Sequence, residues 1–210
     1  MNTNKQAKIC DHMNKLFAER WRHHDRSVLH HTLLSMVEGR PTDARSLSIR
    51  YSIPESRVFA ALTTDRYDLN GSGEVVEVFG VSTEGRHPFE LVSRDSTLSI
   101  CCALVSFLVS QLSPGQKTVF SVDPVSKRRI EIIFGSSFLK SDPIDAIAVL
   151  VAPSVDEFCN DPGNSFCEHV RFYESAENAF AGSKDAPSAV YMSVDDLFRI
   201  AQSLSREFWG

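Results

Sequence analysis

The hydrophobic pattern of the chain is centred on one run, Leu98 to Leu112, LSICCALVSFLVSQL. Polar Arg94-Asp95-Ser96 precedes it and Pro114-Gly115 closes it. A helix that is apolar nearly all round is buried, so the run predicts a central core helix. It falls short of a membrane span, which needs roughly 20 apolar residues. Upstream, residues 5–24 carry a loose helical period through Ile9, Met13, Leu16, Phe17 and Trp21. A second helix is predicted over Asp25 to Glu38, with Val28, Leu29, Leu33, Leu34 and Val37 on one face, ended by Gly39 and Pro41. Thr42 is placed to cap a short helix to Arg50. Ser52-Ile53-Pro54-Glu55 has the form of a cap, a first-turn proline and a capping-box glutamate, opening a helix through Val58, Phe59, Ala61 and Leu62.

Period-two and turn signals then take over. Asp68-Leu69-Asn70-Gly71-Ser72-Gly73 is a turn, followed by the strand patterns Glu74 to Val81 and Pro88 to Val92. The turn resembles the start of a calcium loop. Its twelfth position, where a bidentate glutamate is needed, is Phe79, which removes that reading. Helix, short helix, turn, helix and hairpin is the order of a winged helix-turn-helix. Beyond the central run, Lys117 to Val122 and Ile130 to Phe134 read as a hairpin around Asp123-Pro124-Val125-Ser126. Ala146 to Val151 reads as a buried strand, Ser154 to Gly163 as polar turns, and Glu177 to Ala181 as a short helix. Ala189 to Met192 is a further strand, and Ser193 caps a last amphipathic helix, Val194 to Phe208.

The expected class is α+β. An N-terminal helical, winged-helix-like part (residues 1–83) packs on a mixed β-sheet part (residues 84–210) with the central buried helix and the C-terminal helix. The 210 residues are 42% hydrophobic, enough for a core without a metal or disulfide staple. A net charge of −5 argues against general affinity for nucleic acid or anionic membranes. Met1 to Lys8 is polar with no apolar stretch behind it, so no signal peptide is read. Five scattered cysteines do not make a disulfide framework, and a reducing, cytoplasmic setting with free thiols is expected.

Two segments carry candidate chemistry. Cys101 and Cys102 lie in the apolar run, and Cys167 stands beside Glu168 and His169 after the turn-forming Pro162-Gly163. Buried cysteines are most often small core residues, inert unless something lowers their pKa. Brought together, two thiolates would bind mercury, copper(I) or zinc far better than magnesium or calcium. His23-His24 and His30-His31 are seven apart and could share a helix face as metal ligands, or be ordinary exposed positions. The predicted recognition helix offers only Glu55, Ser56 and Arg57 before its apolar remainder, which fits a structural winged helix better than a DNA reader. No His-Glu-x-x-His, Cys-x-x-Cys pair, phosphate-binding glycine loop or Gly-x-Ser-x-Gly elbow occurs.

Cys102-Ala103-Leu104 on an apolar segment, followed by Ser165-Phe166-Cys167-Glu168-His169-Val170-Arg171-Phe172, resembles the organomercurial (alkylmercury) lyase family. Glu38-Gly39-Arg40-Pro41 and Ser52-Ile53-Pro54-Glu55-Ser56-Arg57-Val58 are similar to that family's N-terminal region, and the likeness covers roughly residues 28 to 209. The resemblance implies a winged-helix-like part packed on a mixed sheet. It also implies a reaction in which two cysteine thiolates capture the mercury of an alkylmercury compound and an aspartate carries a thiol proton to the carbon. The thiols transfer to Cys102 and Cys167, which are also the implied metal ligands. The aspartate does not transfer: its position, three residues after the first cysteine, is Val105. A family cysteine in the hairpin aligns with Asp123. Glu168 and Asp123 are the candidate substitutes for the proton carrier.

The function expected from these residues is a thiol-dependent lyase of this superfamily, cleaving a carbon–metal or carbon–heteroatom bond on a substrate other than classical organomercurials. Two alternatives stay open: a non-enzymatic protein binding a soft metal through the same thiols, and a winged-helix regulator with a thiol sensor. No cofactor is required; mercury or copper would be substrate or ligand. The partner is a small molecule or soft metal, with no membrane and no nucleic acid.

Overall fold

The computed structural model describes residues 3–209 apart from 23, 65 and 187, with side chains from Ala7 onward. Four helices open the chain: α1 (Thr3–Trp21), α2 (Arg26–Val37), α3 (Ala44–Tyr51) and α4 (Glu55–Leu62). Short strands β1 (Tyr67–Leu69), β2 (Val75–Val78), β3 (Val81–Ser82), β4 (Phe89–Val92) and β5 (Thr97–Ile100) follow. Then come α5 (Ala103–Ser110), β6 (Lys117–Val122), β7 (Arg129–Phe134), β8 (Leu139–Asp142) and β9 (Ile147–Leu150). The chain closes with α6 (Val155–Asn160), a π-helical turn (Gly163–Cys167), β10 (Arg171–Tyr173), α7 (Ala176–Gly182), β11 (Val190–Ser193) and α8 (Val194–Trp209). The class is α+β, as the pattern predicts.

The strands form an eight-stranded sheet, β1-β2-β3-β5-β4-β6-β7-β8, and a three-stranded one, β10-β9-β11. Every described strand pair is antiparallel. The large sheet runs across residue 83 without a break, because β3 pairs with β5 through Val81–Ile100 and Ser82–Ser99. Helix α5 lies over it, buried on all sides, against α8 and α2. Phe107 of α5 is fully buried, its ring 5.1 Å from Phe134, 5.3 Å from Phe198 and 5.6 Å from Phe172.

The largest difference from the predicted pattern is at the central run. It is a strand followed by a helix, with helix only from Ala103 to Ser110. A continuous apolar run does not distinguish a buried strand from a buried helix, and here β3 and β4 bracket Thr97–Ile100. Cys101 and Cys102 thus sit at a strand-to-helix junction. Thr42 does not cap α3; Asp43 does, accepting from the Ser46 N–H at 3.0 Å. The Thr42 hydroxyl instead bonds the backbone of Val75 on β2. Pro54, not Ser52, stands at the start of α4, and Ser52 closes α3 in the left-handed region. The predicted strand Glu74 to Val81 reverses at Phe79-Gly80, both at positive φ, into the β2–β3 hairpin. Helix α6 and strand β8, unread in the sequence, are short and polar, although Ser154 and Glu157 form a full capping box for α6.

The helices α2, α3 and α4 follow in the predicted order, but the predicted hairpin of Glu74–Val81 with Pro88–Val92 does not form: β2 pairs with β1 and β3, and β4 pairs with β5 and β6. Phe59, expected inward, is 61% exposed, because α4 buries only Val58 and Leu62 fully. Arg57 is held by Asp25, the cap of α2, at 2.6 and 3.0 Å. No described helix is long and apolar enough to cross a membrane.

Since α5 anchors both the sheet and α8, Phe107→Ala should cost about 3–5 kcal/mol of unfolding free energy. Urea denaturation measures it. A loss below about 1 kcal/mol would show that this aromatic cluster does not hold the core.

Candidate active site

Three thiols meet at the junction before α5. Strand β5 ends where the Cys101 N–H donates to the Gly80 carbonyl at 2.8 Å. Gly80 has φ +68°, and a Cβ there would fall 2.5 Å from the Cys101 sulfur. The β2–β3 turn is therefore shaped to Cys101, and only glycine fits both its conformation and the contact. Cys102 follows in an extended conformation (φ −154°, ψ 166°) as the cap residue of α5. The Ala103 N–H donates to the Val170 carbonyl at 3.1 Å, tying the junction to the Cys167 segment.

Cys167 ends the π-helical turn. Asp161 opens that turn by accepting from the Asn164 N–H at 3.1 Å and side-chain amide at 2.6 Å. Phe166 is its buried anchor, edge-on to Phe158 at 5.3 Å and Phe17 at 6.1 Å. The Glu168 and Val170 N–H groups close the turn onto Gly163 and Phe166. An apolar side chain fixed between α1 and α6 thus delivers the cysteine next to it.

The Cys101 and Cys167 sulfurs are 3.2 Å apart, and the three sulfurs of Cys101, Cys102 and Cys167 all lie within 4.8 Å of one another. Cys101, Cys167 and Val105 face a cavity of about 700 Å³, while Cys102 is completely buried behind them. Arg66, Arg171, His87, Glu77 and Glu168 are among its other walls. Of these, Glu77 is engaged by Arg86 and His87.

The charges on the three thiols are unequal. Burial pushes Cys102 up, but the Cys101 and Cys167 thiols and the Val105 and Leu104 backbone N–H groups outweigh it, so Cys102 lies well below the usual thiol range. Cys101 is held well above that range by its hydrogen bonds to Cys102 and Cys167 and by burial. For Cys167 the bond with Cys101 favours the thiolate. Its bond to Cys102, burial and the Cys102 charge outweigh that, and Cys167 also lies well above the range. Ionisation is thus favoured at Cys102, the sulfur at the helix N-terminus, and disfavoured at Cys101 and Cys167.

Of the residues predicted for the site, the structure brings Cys102 and Cys167 together and places Glu168 on the cavity wall, outside the sulfur cluster. Glu168 is solvent-exposed at the cavity wall. Asp123 lies elsewhere and is not among the lining residues. It is fully buried at the β6–β7 turn, where one oxygen accepts from the Val125 and Ser126 N–H groups. The other accepts from the Glu174 N–H and the Asn178 side chain. A carboxylate so occupied braces the turn against the start of α7 and has no free oxygen for proton transfer at the thiols. The histidine pairs do not form a metal cluster among the described residues. His31 stacks on Tyr51 at 3.9 Å, His30 packs against Trp209 at 5.3 Å, and His23 lies outside the described residues. The sequence left the part played by Cys101 open; Gly80, with its forced turn, was the available signal for a close approach there.

A pocket walled by two thiols, with a third directly behind them, on an α+β scaffold is a donor set suited to soft, thiophilic centres. The family model described as "MerB: Alkylmercury lyase" matches residues 82–206. The chain belongs to the alkylmercury lyase family, a family of lyases. A comparison with curated proteins finds no match. Among solved structures, "Crystal structure of the mercury-bound form of MerB2" aligns with a TM-score of 0.72 and 14% identity, covering 93% of this chain and 98% of that chain. At that identity the likeness is one of fold.

Two measurements check the thiol charge and the Asp123 brace. In the reduced protein, ultraviolet thiolate absorbance should show one thiol ionising below the ordinary value of about 8.5, protonating as pH falls. Cys102→Ser should remove that component; its persistence would place the charge on another sulfur. Asp123→Ala should lower stability at neutral pH by about 3 kcal/mol. Burial works to raise the Asp123 carboxyl, but its N–H donors hold it below the usual range. The stabilisation is therefore full above the unfolded value of about 3.9 and is lost as pH falls through the folded value. Wild type and variant should converge in acid, whereas an equal gap in urea midpoints at neutral and acid pH would contradict the sign.

Proposed function

We propose that the protein is a thiol-dependent lyase that cleaves a carbon–metal or carbon–heteroatom bond, on a substrate other than classical organomercurials. The observation that carries this reading is the convergence of the Cys102 and Cys167 sulfurs, with Cys101, within 4.8 Å at the wall of a cavity of about 700 Å³. Family membership and the mercury bound by the structural neighbour support a soft, thiophilic centre as the target.

In the proposed step the Cys102 thiolate attacks the metal of an R–M–X compound and displaces X⁻, giving R–M–S(Cys102). The Cys167 sulfur then bonds the metal and its proton passes to the carbon, so that RH leaves and the metal stays on two sulfurs. Glu168, beside Cys167 on the cavity wall, is the available carboxylate for carrying that proton. Val105 faces the same cavity and can carry none. General acid–base help is typically worth about 10²–10⁴-fold. Its absence at position 105 is the reason to look beyond alkylmercury compounds for the natural substrate. The same observation favours a second reading, in which the site binds a soft metal ion without cleaving anything.

A single-turnover assay with an alkylmercury compound separates the two. Wild type should release hydrocarbon slowly, Cys102→Ser should release none, and Val105→Asp should be at least about 100-fold faster. Capture of mercury by wild type with no hydrocarbon, and release only from Val105→Asp, would overturn cleavage of a carbon–mercury bond by this site and favour metal binding.

A further inference from the structure

Cys101 lies outside the pair of thiols assigned above, yet it is as much a part of the cluster as either. Its sulfur is the one in contact with Cys167, at 3.2 Å, and it faces the cavity where Cys102 does not. Cys101 and Cys167 form the cavity-facing side of the cluster and Cys102 its inner side. The β2–β3 turn leaves room for this sulfur only because residue 80 has no side chain. Cys101 therefore occupies a built position. Among the described residues no carboxylate or imidazole joins the cluster, so its donors are sulfur alone.

An ion bound at about 2.3 Å to three sulfurs holds them about 4 Å apart. Separations between 3.2 and 4.8 Å bracket that spacing, so closing on one ion needs shifts of well under an ångström to about one. Thiolate donors select soft ions, and three donors without a fourth suit mercury(II) or copper(I) better than zinc, which completes a tetrahedron. We propose that Cys101, Cys102 and Cys167 form a three-sulfur centre for a single soft ion of low coordination number, with Cys101 as its third ligand. On binding, the metal forms three M–S bonds, and each sulfur that was protonated releases its proton to solvent. This centre shares its site with the proposed lyase but does not depend on any bond cleavage.

The test uses mercury(II) chloride alone, at one equivalent, on reduced protein carrying Cys10→Ser and Cys159→Ser, so that the two remaining free cysteines cannot compete. X-ray absorption should count three sulfur neighbours per mercury, and two when Cys101→Ser is added. The added variant should also release one proton fewer per mercury and lose at least tenfold in affinity against a competing dithiol. Cys101→Ala should behave as Cys101→Ser does, and thermal melts check that both fold. Two sulfur neighbours in the Cys101-containing protein, a count that needs no further variant, would overturn the proposal. So would affinity and proton release unchanged by loss of Cys101. Three-sulfur binding together with no hydrocarbon release from an alkylmercury compound would leave this centre standing and remove carbon–mercury cleavage alone.

Discussion

Three thiols can share one corner of this protein because α5 begins at Ala103, just after Cys102, and not earlier. Were the apolar run helical from Leu98, the Cys101 N–H would turn to the Thr97 carbonyl four residues back and leave Gly80. The extended backbone at Cys102 instead ends a strand and starts a helix within one residue. Each neighbour holds that break in place. Gly80 receives the Cys101 N–H, Val170 receives the Ala103 N–H, and the apolar surround of α5 leaves the helix no other position to occupy.

The same break sets the electrostatics. Three sulfurs in a buried corner cannot all ionise, since each further charge lies beside another with little water to screen it. Burial opposes ionisation at Cys102, but the two neighbouring thiols and the helix N-terminus favour it more strongly there than at the other two sulfurs. Favouring the thiolate by one pKa unit is worth about 1.4 kcal/mol, of the same order as an N-terminal helix effect with a hydrogen bond added. Position at the helix N-terminus, more than any neighbouring cation, favours ionisation at Cys102.

Much of the frame was legible in the sequence because its signals are local. Asp25 ahead of an apolar helix stripe, the turn at Asn70-Gly71 and Ser193 before α8 each act within a few residues of themselves. The site was half legible. The motif around Cys102 and Cys167 pointed to two thiols, but the run that holds Cys101 has no periodicity, so its sequence could not tell strand from helix. Asp123 shows the converse limit. An aspartate beside Pro124 in a hairpin is compatible with chemistry or with bracing a turn, and only its distant partners, Glu174 and Asn178, decide for bracing.

Val105 gains its meaning from this charge distribution. A carboxylate there would face the same cavity as Cys101 and Cys167, and its charge would oppose a thiolate in the cluster. With valine at that position no such charge opposes the lowering of Cys102, while Cys101 and Cys167 stay above the usual thiol range. In the three-sulfur centre proposed above, protons would leave the sulfurs as metal–sulfur bonds replace sulfur–hydrogen bonds, so that metal capture and proton release would be coupled on the same atoms.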